Sequence, residues 1–275
     1  MLNIRMVFRR EMLGFFNSPM AYIFLVIFAV VNGYFFTNTF FLFGQSDLRT
    51  LFDIVPLVYL FFIPAVSMGL IARENNIGTM EIISTLPLNT YEFVMGKFLA
   101  GFSLILLGLA ATSIHFFTLM AVGTNVDIGA IFSGYLGLAL MGATFTAIGV
   151  YTSSVTENQV VAFIIGVFVV LVFYMLDKTL IFVPHSLAGI VQFLAVDYHL
   201  SNISRGVIDS RNLVYFFSMI GFFIFLTIQT LEVLAYTTLR LFSFANLNIF
   251  SVPTTFTSKY SSGLSNESCT TVSAA

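Results

Sequence analysis

The chain has 275 residues, of which 58% are hydrophobic and 9% charged, with 34 Phe, no Trp and a mean hydropathy of +0.98. A soluble globular domain carries about 25% charged residues, whereas here the apolar residues arrive in blocks of roughly 20, enough for a helix to cross about 30 Å of hydrocarbon; this excludes an ordinary soluble fold. A net charge of −2 and a pI of about 5.9 provide no basic field, so nucleic acid is set aside as a partner.

The segment MLNIRMVFRREMLGFFNSP, residues 1–19, reads as an interfacial helix. Ile4, Val7, Phe8, Met12 and Phe15 share one face, Arg9 and Arg10 lie away from it, and Leu2, Met6 and Leu13 form a second apolar strip. Ser18 is placed to cap a new helix with Pro19 at its first position. Spans are expected at about Met20–Phe43, Phe52–Ala72, Phe98–Val122, Gly129–Tyr151, Val160–Val183 and Leu213–Leu231. The first exceeds a signal-peptide core and no small-x-small cleavage site follows, so it reads as retained. An even number of spans puts both termini on one side. Arg5, Arg9 and Arg10 precede the first span, while the opposite loops GQSDLR and GTNVD hold only Arg49; this favours cytoplasmic termini, although Arg205 and Arg211 would then lie outside.

Between the second and third spans runs ARENNIGTMEIISTLPLNTYEFVMGK, from Ala72 to Lys97. Glu74, Gly78, Glu81 and Thr85 fall on one helical stripe, and Ile77, Met80, Ile82, Ile83 and Leu86 occupy the rest. Pro87 biases Leu86 out of the helical region, which predicts a short cytoplasmic helix over about 73–86. Asn89 with Glu92 three residues on predicts a capping box and a second helix running through Lys97 into the third span. The apolar face of the first helix needs burial against the bundle, lipid or another protein, and periodicity leaves these open.

Several polar residues interrupt the spans. His115 is an ionisable group within the third, read either as a helix-packing residue or as part of a pathway. Asp177 and Lys178 read as an interfacial pair with Lys178 snorkelling. Pro56 and Pro64 free backbone carbonyls in the second span and permit bending; with His115 they are the pathway or gating candidates. The small residues of FSGYLGLALMGATFTAIG suit close helix packing. Between the last two spans SLAGIVQFLAV is too short to cross, so residues 184–212 are expected to form a re-entrant or interfacial outer cap. Residues 233–275 read as partly interfacial and then disordered.

Catalytic signatures are missing. VMGKF lacks the upstream Gly and the Ser/Thr of a phosphate-binding loop, so the chain is not its own ATPase, and neither H-E-x-x-H nor G-x-S-x-G occurs. The lone Cys269 and three His offer no metal cluster. No catalytic residue, metal or cofactor is expected of this chain.

Three separated stretches carry a family resemblance. ARENNIGTMEIISTLPLNTYEFVMGKFLA is similar to the coupling-helix segment of the ABC-2 type transporter permeases, where an Arg-Glu pair, a Gly-Thr-x-Glu and a Leu-x-x-Pro precede a Gly-Lys entering the third helix. FRREMLGFFNSPMAYIF resembles their N-terminal elbow helix and first span, and YHLSNISRGVIDSRNLVYFFS resembles the segment before the last span, most closely in the gliding-motility-associated permeases. The resemblance covers about Met1 to Glu232 and implies an all-α polytopic membrane protein: an elbow helix over 1–19, a six-helix domain over 20–232 with a cytoplasmic coupling helix, and an extension over 233–275. It implies a bacterial inner-membrane exporter subunit, working as a homodimer or with a related permease, in contact with membrane lipid. Its work would come from cytoplasmic ABC ATPase subunits that use ATP and Mg, and an auxiliary membrane protein with an extracytoplasmic domain would join it. Carried over, Arg73, Glu74, Gly78, Thr79 and Glu81 form the ATPase interface, with Ile77 and Met80 on its apolar face and Gly78 allowing close backbone approach. Two other classes stand beside this one. An ion-coupled secondary transporter needs midplane ionisable groups, for which there is His115; an integral-membrane enzyme needs catalytic groups gathered at one interface.

Overall fold

The computed structural model describes residues 2–42, 48–78, 89–123, 126–207 and 209–245, and every regular element among them is helical. Helix α1 is Leu2–Asn17, α2 is Pro19–Thr37 with a π-helical turn Asn38–Leu42 beyond it, α3 is Arg49–Ser67, and α4 is the short Ala72–Ile77. Then follow α5 Thr90–Val122, α6 Ile128–Val155, α7 Gln159–Thr179 with a 3-10 turn Leu180–Phe182, α8 His185–Leu194, α9 Val196–Ser204 and α10 Ser210–Ala245. Among the described residues six stretches are long and apolar enough to cross a membrane: Pro19–Phe41, Arg49–Ile77, Thr90–Val122, Ile128–Val155, Gln159–Thr179 and Ser210–Leu234. The chain divides into two units, Met1–Val233 and Leu234–Ala275; of the second, the stretch up to Ala245 is helical.

The first unit is assembled around α6. Its small residues let neighbours approach closely: a Cβ on Gly134 would stand 2.2 Å from the Phe52 ring of α3, and one on Gly149 would stand 1.9 Å from the Ser67 hydroxyl. Helices α3, α5, α7 and α9 all pack on α6. Most of its buried hydroxyls bond carbonyls of their own helix, as Thr146 does to Gly142 at 2.7 Å, which satisfies those donors in an apolar interior. Phe28 of α2 stacks on Tyr59 of α3 at 5.8 Å and closes the core on the other side. Outward faces stay apolar, as with Val26 and Val30 on α2 or Ile164 and Phe168 on α7, which suits a bundle solvated by lipid.

Helix α1 lies along α5 with Val7 buried and Met6 and Leu13 exposed, so the first apolar strip is the packed one. A Cβ on Gly96 would meet Val7 at 2.7 Å, which makes Gly96 the point of closest approach. Ser18 holds the extended N-cap conformation before Pro19, but its hydroxyl donates to the Phe15 carbonyl at 3.1 Å and does not cap α2. The chain end before the third span agrees with expectation: α5 starts at Thr90 with a capping box in which the Glu92 carboxylate accepts from the Asn89 N–H at 3.4 Å.

The second stretch, expected over Phe52–Ala72, is apolar enough to cross a membrane over Arg49–Ile77, and within it helix α3 stops at Ser67. Of the helix expected over 73–86 the described part is α4, which ends at Ile77, where Gly78 takes the left-handed conformation (φ 75°) and its N–H closes back on the Asn75 and Glu74 carbonyls; residues 79–86 lie outside the described residues. The stretch 184–212, expected as a cap, holds two short helices that break at Ala195; the second, α9, buries Val196, His199, Leu200 and Ile203 and packs on α6 and α7.

A candidate site where α1, α4 and α5 meet

The turn leading from α3 into α4 is held from outside. Ser153 of α6, fully buried, accepts the N–H groups of Ile71 at 3.0 Å and Ala72 at 2.9 Å and donates to the Met68 carbonyl at 2.8 Å. One hydroxyl thereby satisfies the backbone groups that the break in the helix would leave bare.

On the other side of the same turn stands Lys97 of α5, whose side chain is 1% exposed. Its ammonium donates to the Leu70 carbonyl and lies 3.1 Å from Glu11 of α1 and 3.1 Å from Glu74 of α4, with the Phe93 ring centroid 4.9 Å away. Arg10 binds both carboxylates from the solvent side, Glu11 at 2.8 Å and Glu74 at 2.5 Å. Burial works against the charge on Arg10, but hydrogen bonds and attraction from Glu11 and Glu74 outweigh it and hold its pKa above the ordinary arginine value. A buried ammonium needs such company, since isolated burial of a charge costs several kcal/mol. Asn3 adds a further tie from α1 to α5 by donating to Glu92 at 2.9 Å. The result is a four-charge clasp joining α4 to α1 and α5.

Glu74 thus faces inward, while Arg73 and Ile77 are exposed, Ile77 at 63%. Helix α4 is tied to the bundle through Glu74, with Arg73, Asn76 and Ile77 left exposed. Gly78 is exposed, with nothing within 4 Å of a Cβ built on it, so its role here is the left-handed turn rather than close approach. Thr79, Met80 and Glu81 lie outside the described residues.

The pathway candidates are not brought together. Pro56 and Pro64 are buried within a continuous α3, and Pro64 packs under Gly166 of α7, where a Cβ would come to 3.2 Å. His115 is half-buried and stacks on Phe36 of α2 at 4.6 Å, beside Gly33. Lys178 pairs with Asp197 of α9 at 2.7 Å more closely than with Asp177 at 3.7 Å, tying α7 to α9. No group of three His, Cys, Asp or Glu gathers among the described residues.

Sequence reasoning missed Arg10, Glu11, Lys97 and Ser153 as site residues. One signal was present: a Lys at the mouth of an apolar run of α5 must either reach water or find carboxylates.

A helical protein with six stretches long and apolar enough to cross a membrane is a multi-pass membrane protein, and among its described residues the four-charge clasp lies where the short helix α4 meets α1 and α5. Comparison with protein families matches residues 6–255 to the ABC-2 family transporter protein. The chain belongs to that family and is a membrane component of a transporter. No curated protein matches it.

Proposed function

We propose that the chain is the permease subunit of an ATP-driven ABC-2 transporter, and that α4 with the segment following it seats on a cytoplasmic ABC ATPase. The observation that carries this reading is that α4 is anchored and exposed at once: Glu74 is clasped by Lys97 and Arg10, while Arg73, Asn76 and Ile77 on the same short helix are exposed. An apolar side chain held bare on a rigid mount favours a protein partner over burial in the chain's own bundle. The ATPase binds ATP and Mg; its closure pushes α4, and the clasp carries the push to α1 and α5, while the Ser153 anchor carries it to α6. Both termini lie in the cytoplasm of a bacterial inner membrane, two copies form the working unit, and transport runs outward. Likeness of the Tyr198–Ser218 stretch to gliding-motility permeases supports a role in gliding or secretion, with an auxiliary protein reached through α8 and α9.

A photo-crosslinking residue in place of Asn76, which is exposed on α4, tests the reading in native membranes. Capture of a subunit identified by mass spectrometry as an ABC ATPase is expected. Capture of lipid alone from a correctly inserted protein would overturn it.

A further inference from the structure

A cavity of about 270 Å³ opens beside the clasp, bounded by α1, the first turn of α2, the end of α3, α4, α5 and the first turn of α7. It lies beside the starts of α2 and α7 and the end of α3. Among the described residues its charged lining is unbalanced: Arg10, Arg73 and Lys97 stand against Glu11 and Glu74, leaving one positive charge in excess. Lys97 has spent its three donors on Glu11, Glu74 and the Leu70 carbonyl. Arg73 makes no hydrogen bond or ion pair among the described residues, and the Arg10 side chain, although it holds both carboxylates, is 53% exposed. The excess charge therefore rests on the two guanidinium groups, the side chains best shaped to hold a phosphate oxygen pair.

One helix start reinforces it. Met20, in the first turn of α2, lines the cavity, and the hydroxyl of Ser18 is turned to the Phe15 carbonyl, so the opening N–H groups of α2 have no side-chain cap. Gln159, the first residue of α7, lines it too, with its amide laid beside Gly69, while the start of α7 is itself capped by Asn158, whose side chain accepts from the Val160 N–H. Helix starts carry partial positive charge and suit anions. The remaining wall is apolar, with Phe15, Val66 and Leu70. A cavity with one surplus positive charge, guanidinium and amide donors and an apolar wall fits a singly charged phosphate ester joined to an apolar tail.

We infer that this cavity is a binding site for a phosphate monoanion, held between Arg73, Arg10 and Gln159, whose source is an anionic phospholipid headgroup or free phosphate. Two carboxylates in the lining select against polyanions, and a zwitterionic choline headgroup offers no net charge to the surplus. The inference stands on the cavity alone and does not depend on an ATPase docking at α4.

Purified full-length protein, stripped of lipid in mild detergent, is titrated with phosphatidylglycerol or phosphatidylcholine and read by native mass spectrometry. Wild type is expected to hold a single phosphatidylglycerol about tenfold more tightly than phosphatidylcholine, with Arg73→Gln losing that preference and Arg73→Lys keeping most of it. Arg9→Gln, an exposed cation on α1 outside the cavity, should behave as wild type. Equal binding of the two lipids, an unchanged Arg73→Gln in a protein of wild-type helix content, or an equal loss from Arg9→Gln would overturn the site. Millimolar inorganic phosphate separates the sources: displacement of the lipid assigns a phosphate site, and persistence of the lipid assigns a headgroup site that also reads glycerol.

Discussion

Lys97 is an ammonium group with a 1% exposed side chain and two carboxylates at 3.1 Å, and its energetics depend on which partner is removed. Glu11→Gln or Glu74→Gln leaves it one carboxylate, so each should cost about 1 kcal/mol, close to a lost charged hydrogen bond. Lys97→Met leaves both carboxylates on Arg10 alone and should cost about 3 kcal/mol, the lower end for a broken buried pair. The double variant Glu11→Gln/Glu74→Gln should cost clearly more than the sum of the singles, because it strands the cation; unfolding midpoints in detergent measure that coupling, and simple additivity would contradict the clasp. Ser153→Ala removes the shared partner of two backbone donors and should lower stability by about 2 kcal/mol; an unchanged midpoint would mean that water replaces the hydroxyl. Of these residues the sequence shows only charge. Glu11 and Lys97 are 86 positions apart, and no local pattern pairs them.

At the scale of elements, glycines decide how helices meet and stop. Gly149→Ala would drive a methyl into Ser67, 1.9 Å from its hydroxyl and 2.7 Å from its Cβ, and should cost about 1–3 kcal/mol as α3 and α6 separate. Gly96→Ala presses on Val7 and should loosen α1 from α5, read as faster hydrogen exchange along α1; unchanged exchange would contradict that contact. Gly78→Ala meets no neighbour but must adopt φ near 75°, costing about 1–2 kcal/mol locally. That strain weakens the turn that ends α4, which a lower unfolding midpoint would record and an unchanged midpoint would deny. The spans were legible because length and apolarity alone define a helix that must satisfy its own backbone in lipid. The capping box at Asn89 and Glu92 was legible because it is local. The break after Ser67 was not, since Ser153 of a distant helix holds it. Periodicity carried the helix on past Gly78 because a stripe of polar residues says nothing about a left-handed backbone.

For the whole molecule, six apolar spans and the family match at residues 6–255 make it a transporter's membrane part. The overall class was written in composition, and the tie of Glu74 to Lys97 and Arg10 appears only when α1 and α5 are folded around α4. In the proposed function the exposed residues of α4 seat on an ATPase. Co-purification of tagged protein from its native membranes in mild detergent, with mass spectrometry, compares wild type with Ile77→Arg/Met80→Arg. An ABC ATPase should accompany wild type and be released by the double substitution, while the membrane protein keeps its unfolding midpoint. An ATPase retained by the charged variant, or absent from wild type, would contradict that function.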